Sequence, residues 1–258
     1  MTNAFILLTG IYIYVSLARQ ISARERPDHL RSVKNFGLPD AILASALVAL
    51  FTFNLTTAHA HAVSAFQTRD LVANALLSLA LFLFIAGFLR FRGLDLNSLG
   101  GLSKIGFWRA LGTGMVLLFA AYPLIFLADA ITQRVLGSGS TKQEIVQLFS
   151  GSRTMEQRIL VILLAVAIAP VVEEFIFRFF LYGVVRRYVG RFAGLALNSL
   201  LFAAVHAHLP SFGPLLVLGS CFTIAYEWSG SLLVTMAMHS LFNSLTLVVL
   251  AFPSLVQQ

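Results

Sequence analysis

The sequence has little charge and almost no cysteine. Only 11% of its 258 residues are charged and 58% are apolar, whereas about a quarter of a soluble domain is charged. With a mean hydropathy of +0.85, this composition excludes a soluble globular domain and a disordered chain. The single cysteine, Cys221, excludes an intramolecular disulfide and a cysteine-based zinc site. The net charge of +7 is spread over several short loops, as in membrane proteins, so we expect no nucleic-acid partner.

Several common catalytic motifs are also missing. The sequence contains no HExxH zinc motif, no GxxxxGK[ST] phosphate loop and no GxSxG nucleophile motif. These absences exclude three enzyme classes: the zincins, the P-loop enzymes and the α/β-hydrolases. We therefore expect none of these three chemistries in this chain.

Long apolar runs dominate the chain and predict an all-α polytopic membrane bundle of about eight spans. A bilayer core about 30 Å thick needs runs of this kind. The predicted spans are Asn3–Leu17, Pro39–Thr57, Leu71–Leu89, Phe107–Ile131, Met155–Tyr188, Ala193–Ala207, Pro214–Tyr226 and Ser231–Phe252. We also predict a short amphipathic helix on the bilayer surface at Thr141–Phe149. Residues 1–258 would form one membrane domain, with N-terminal helices in 1–150 and a catalytic core in 151–252.

The fifth predicted span places three charged residues in the apolar interior, where each charge is costly and indicates function. Glu174 and Arg178 are four residues apart and can pair on one helix face. Glu173 is rotated about 100° away and needs a partner on another helix. Pro170 is expected to kink the helix before the carboxylates and to free a backbone carbonyl.

Two further apolar spans carry polar residues of the types that bind a metal or activate water. His206 lies in the sixth span, and His239 and Asn243 lie four residues apart on one face of the eighth. A lone intramembrane histidine often serves only as a hydrogen bond between helices. Together with Glu173, however, these residues predict a functional site near the middle of the bilayer.

Three motifs in order resemble the CPBP family of intramembrane endopeptidases. This family of CAAX proteases and bacteriocin-processing (Abi) proteins includes the type II prenyl-protein protease. The motifs are Glu173-Glu174-xxx-Arg178, Phe202-xxx-His206 and His239-xxx-Asn243. The resemblance covers Met155–Leu250, and the earlier spans match only in being hydrophobic helices.

The resemblance implies that the chain hydrolyses a peptide bond within the membrane. Glu173 and His206 would activate the water, while His239 and Asn243 would polarise the carbonyl and stabilise the oxyanion. Glu174 and Arg178 would support the scaffold. The reaction would use no cofactor, or else a divalent metal such as Zn held by the following candidate ligands: His206, His239, Glu173 and Asn243.

The expected surroundings are membrane lipid, a membrane-associated peptide or protein substrate that could be prenylated, and the plasma membrane of a prokaryote. Two other functions remain open. One is a non-proteolytic scaffold or bacteriocin-immunity protein. The other is a proton-coupled transporter, which is disfavoured because the polar intramembrane residues cluster in the C-terminal half alone.

Overall fold

The computed structural model describes residues 2–24, 36–58, 68–136, 149, 151–152 and 154–252. Within these ranges the chain is helical and forms no strand, which confirms the predicted all-α fold. The helices are α1 (Thr2–Ala23), α2 (Leu38–Ala58), α3 (Thr68–Phe91), α4 (Leu96–Gly100), α5 (Phe107–Leu136), α6 (Met155–Val189), α7 (Arg191–Val205), α8 (Phe212–Ser229) and α9 (Leu232–Ala251).

Seven of the described helices are long and apolar enough to cross a membrane, and α7 is a shorter apolar helix. All eight predicted spans are therefore helices, and the chain is a multi-pass integral membrane protein. The first and seventh predicted spans are longer than the sequence suggested, because α1 has 22 residues and α8 has 18. The 15 residues of α7 extend about 22 Å at 1.5 Å per residue, which is less than the bilayer core.

The predicted surface helix at Thr141–Phe149 lies outside the described residues, except for Phe149. The predicted division into residues 1–150 and 151–252 also stays a prediction. Side chains from both parts pack into a single hydrophobic core. For example, the Tyr14 hydroxyl of α1 donates to the Leu117 carbonyl of α5 at 2.9 Å.

Helix α6 is continuous but switches from α-helical to π-helical winding in two places. It begins with a capping box, in which Thr154 and Gln157 satisfy each other's backbone amides. Two π-helical segments, Leu164–Ile168 and Phe175–Leu181, flank a short α-helical segment at Ala169–Glu174. Short π-helical segments within α-helices are frequent at functional sites, and the segment between these two carries both predicted carboxylates.

A buried ionic cluster joins the ends of α6 and α8 to the start of α7. Glu227 pairs with Arg186, lies 3.3 Å from Arg191 and accepts a hydrogen bond from the Tyr182 hydroxyl at 2.7 Å. Arg191 also donates to the Ile21 carbonyl at the end of α1. We call Glu227, Tyr182, Arg186 and Arg191 the Glu227 cluster, and it connects four helices at one end of the bundle.

The variant Glu227→Gln is expected to lose stability but to keep the activity of the molecules that remain folded. Removing one partner of a buried ion pair costs roughly 3–5 kcal/mol, and here it leaves Arg186 and Arg191 without their carboxylate. Thermal unfolding in lipid, with exposed Glu156→Gln as the matched control, measures the loss. An unchanged melting temperature would show that the cluster contributes little.

Candidate active site

The two carboxylates of α6 face different surroundings although they are adjacent in the chain. The Glu174 side chain is fully buried, while 31% of the Glu173 side chain is exposed. Both lie at the end of the short α-helical segment between the two π-helical segments. Glu174 can therefore bind groups inside the bundle, whereas Glu173 can contact a substrate.

Glu174 connects a buried arginine to a histidine on another helix. Its Oε1 atom lies 3.1 Å from Arg178 Nη1 on the same helix and accepts a hydrogen bond of 2.9 Å from His239 Nδ1 on α9. The predicted Glu174–Arg178 pair is therefore confirmed. The contact with His239 adds a second role, because it fixes the imidazole ring and holds the proton on Nδ1.

Glu173 faces the opposite side of the same imidazole ring. Its Oε2 atom lies 3.9 Å from His239 Nε2, which is too long for a hydrogen bond. Oε2 is buried and has no hydrogen-bond partner within the part of the chain that the structure describes. A separation of this size between two polar atoms is suited to a bridging water, so Glu173 and His239 can hold one water or substrate oxygen between them.

His206 lies at the point where α7 ends. It is an exposed residue, and its Nδ1 atom donates to the Phe202 carbonyl at 2.7 Å. Because a carbonyl oxygen only accepts, Nδ1 carries the proton and the neutral ring keeps Nε2 as an acceptor. His206 and His239 both pack against the Phe202 ring, so His206 belongs to the same group of residues.

The backbone turns sharply directly after His206. Ala207 adopts φ of 50°, a left-handed conformation that is uncommon for residues other than glycine. Such strain tends to occur where the surrounding structure enforces a functional geometry. The turn ends α7 early and leaves the His206 ring at its exposed end.

Aromatic rings hold the charged and imidazole groups in place. The Phe202 ring lies 4.9 Å from the His206 ring and 6.1 Å from the His239 ring, in edge-on geometry. The guanidinium of Arg178 lies 4.1 Å from the Phe202 ring centre and 5.0 Å from that of Phe222. Cation–π contacts of this kind help to compensate for burying the arginine.

Asn243 is directed at the backbone of α6. Its amide nitrogen donates to the Ala165 carbonyl at 2.8 Å. Asn243 lies one turn after His239 on α9, as the sequence predicted. Its hydrogen-bond partner on α6, however, lies two turns before Glu173. The sequence pattern alone does not reveal that contact.

The divalent metal that the sequence left open stays a prediction. Among the described residues, no three histidine, cysteine, aspartate or glutamate side chains are grouped so that they could hold an ion. Glu174 binds Nδ1 of His239 and the Ala165 carbonyl binds the Asn243 amide nitrogen, so a metal would have to bind through His239 Nε2 and the Asn243 amide oxygen.

The structure thus brings Glu173, Glu174, Arg178 and His239 into direct proximity and places His206 beside them. Sequence reasoning missed the roles of Phe202 and Phe222, although Phe202 stood within a motif. Glu227 is not part of this group, because it lies in the ionic cluster at the helix ends. His208 is bound to Ser211 at 2.7 Å in the connection after α7.

Comparison with known proteins supports a peptidase. No curated protein and no solved structure matches the chain. Residues 155–245 match the family described as Type II CAAX prenyl endopeptidase Rce1-like, and this range includes all six predicted site residues. The segment from α6 into α9 is therefore similar to the Rce1-like family of CAAX proteases.

Proposed function

We propose that the protein is an intramembrane endopeptidase that hydrolyses a peptide bond of a membrane-associated substrate with a water activated by Glu173 and His206. The main observation is the buried Oε2 atom of Glu173, which has no hydrogen-bond partner in the described chain and faces His239 Nε2 at 3.9 Å. A carboxylate in this position, within an apolar bundle, is suited to accept a proton from water. The family match supports the same class of reaction.

The proposed reaction starts when Glu173 takes a proton from water while the water oxygen attacks the peptide carbonyl. His206 orients this water through its Nε2 acceptor. His239, held by Glu174 and protonated on both nitrogens, donates its Nε2–H to the carbonyl oxygen as negative charge develops there. The carbon–nitrogen bond then breaks, and Glu173 transfers its proton to the leaving amine. The water thus supplies one proton to the new amine and its oxygen, with the second proton, to the new carboxylic acid, which then releases that proton to solvent.

The proposed substrate is a prenylated CaaX-type peptide or another membrane-associated peptide. The seven helices that can cross a membrane support the proposal that the substrate reaches the site from the lipid. Glu173 and His206 are the polar site groups with the most exposure, so the substrate would approach them and leave Glu174 and Arg178 buried. The proposed location is the plasma membrane of a prokaryote.

A direct test uses purified protein in liposomes and three quenched peptides of one sequence. One peptide is farnesylated, one carries a saturated acyl chain, and one carries no lipid. Cleavage of the two lipidated peptides would assign a general membrane-peptide specificity, and cleavage of the farnesylated peptide alone would assign a prenyl-specific site. If the folded protein cleaves none of them, the protease proposal loses its support in favour of a scaffold or immunity role.

The same assay tests the metal question. We expect cleavage to persist after treatment with a chelator, because the carboxylate and two imidazoles supply the proton transfer and the charge stabilisation. A loss that added Zn²⁺ restores would contradict the metal-free reaction. A zinc-dependent peptidase treated in parallel serves as the control for effective chelation.

A further inference from the structure

We propose that Asn243 is a positioning residue that acts on Glu173 through the backbone of α6. This inference rests on the proposed function and concerns how the site is held in shape. The observation behind it is the hydrogen bond of 2.8 Å from the Asn243 amide to the Ala165 carbonyl. That carbonyl lies in the first π-helical segment of α6, eight residues before Glu173.

Pro170 explains why this carbonyl needs a donor from outside the helix. In a π-helix each amide donates to the carbonyl five residues earlier, as the Ala169 amide does to Leu164. The next amide in this pattern would come from residue 170 and donate to Ala165. Residue 170 is a proline, which has no N–H, so it leaves the Ala165 carbonyl without that bond.

An unpaired carbonyl at Ala165 would be strongly unfavourable, because this residue lies inside the membrane. Ala165 is buried and lies within a span, where water cannot compensate an unpaired backbone group. Each such group costs several kcal/mol in the bilayer core. Proline is tolerated in spans because neighbouring helices supply the missing bond, and the Asn243 side chain does so here.

Helix α9 therefore holds α6 at two points on opposite sides of Pro170. Asn243 binds Ala165 before the proline, and His239 binds Glu174 after it. Glu173 lies between these two attachments and directly beside the second. A loss of the first attachment would let the π-helical segment rewind and would shift Glu173 relative to His239 and His206.

A double-mutant cycle between Pro170→Ala and Asn243→Ala tests this proposal. In the Pro170→Ala background, an amide of α6 can donate to Ala165 from residue 170 in the π-helical pattern or from residue 169 in the α-helical one. We expect Asn243→Ala to lower both the melting temperature and kcat in the wild-type background, with KM unchanged. A displacement of about 1 Å is enough to reduce kcat about 100-fold.

The expected result in the Pro170→Ala background is that Asn243→Ala lowers the melting temperature by less than half as much. Its effect on kcat should shrink in parallel. Equal shifts of the melting temperature in both backgrounds would overturn the proposal, and equal losses of kcat would assign Asn243 to direct contact with the substrate. The matched control is Ser244→Ala, because the Ser244 hydroxyl donates within its own helix to Ser240.

The two measurements also separate this inference from the proposed function. If Pro170→Ala is itself inactive, the melting temperatures alone decide whether Asn243 and Pro170 are coupled. If the wild-type protein cleaves no peptide, coupled melting temperatures would still establish the attachment of α9 to α6. In that case the protease assignment fails, and with it the catalytic role of the attachment.

Discussion

The variant Glu173→Gln is expected to lose cleavage activity by about 10²- to 10⁴-fold, the range that a general base contributes. The glutamine amide has almost the same shape as the carboxylate but cannot accept a proton from water. Since 31% of the Glu173 side chain is exposed and Oε2 has no hydrogen-bond partner in the described chain, the exchange removes the base without breaking a strong contact. Initial rates of peptide cleavage in liposomes measure the loss.

The melting temperature of Glu173→Gln should stay close to that of the wild type. Exposed Glu156→Gln serves as the matched control, because it makes the same chemical change at the start of the same long helix. Full cleavage by Glu173→Gln would remove Glu173 from the reaction. A large drop in its melting temperature would show that the residue is needed mainly for folding.

The second large effect is expected at Glu174. Glu174→Gln leaves Arg178 without its carboxylate partner although the arginine is fully buried, and such a change costs roughly 3–5 kcal/mol. It also removes the charged acceptor that holds His239 Nδ1 at 2.9 Å. We therefore expect a lower melting temperature together with a lower kcat.

The double variant Glu174→Gln with Arg178→Met separates these two effects. Replacing both charges removes the unpaired arginine, and such replacements of buried ion pairs are often neutral or stabilising. We expect the melting temperature to recover and kcat to stay low, because His239 still lacks its carboxylate partner. If kcat recovers along with stability, Glu174 acts only as the counter-charge of Arg178 and does not orient His239.

Much of the fold follows from hydropathy. Runs of apolar residues about as long as a bilayer is thick leave few alternatives to spanning helices, and all eight predicted spans are helices. Their ends were harder to predict, because polar residues extend α1 to Ala23 beyond the apolar run that ends near Leu17. The winding of α6 was not predictable, since a π-helical segment leaves no periodicity signal over so few residues.

The candidate site was predictable to the extent that it depends on spacing within one helix. Glu174 and Arg178 pair because they are four residues apart, and Glu173 faces another helix because it is rotated away from them. The attachment of His239 to Glu174 depends on how α9 packs against α6, which no local pattern specifies. The same holds for the Asn243–Ala165 bond, although Pro170 predicted a freed carbonyl in this part of α6.

Charge burial alone does not identify the site. Only 2% of the Glu227 surface is exposed, so Glu227 resembles Glu174 in its degree of burial. It also lies beside two arginines. Its position at the helix ends and its three partners, Tyr182, Arg186 and Arg191, give it a structural role. Glu173 differs because it is partly exposed and has an oxygen without a partner in the described chain, and for this reason we propose it as the reacting group.

The most direct test of the central claim is a single turnover in H₂¹⁸O with enzyme in excess over a lipidated peptide, followed by mass spectrometry of the product and of the Glu173 peptide. Direct attack by water predicts one ¹⁸O atom in the new carboxylate, none in Glu173, and turnover slowed by about 10²- to 10⁴-fold in Glu173→Gln. An unlabelled product carboxylate with ¹⁸O in Glu173 would contradict the account, because it would mean that Glu173 attacks the substrate itself.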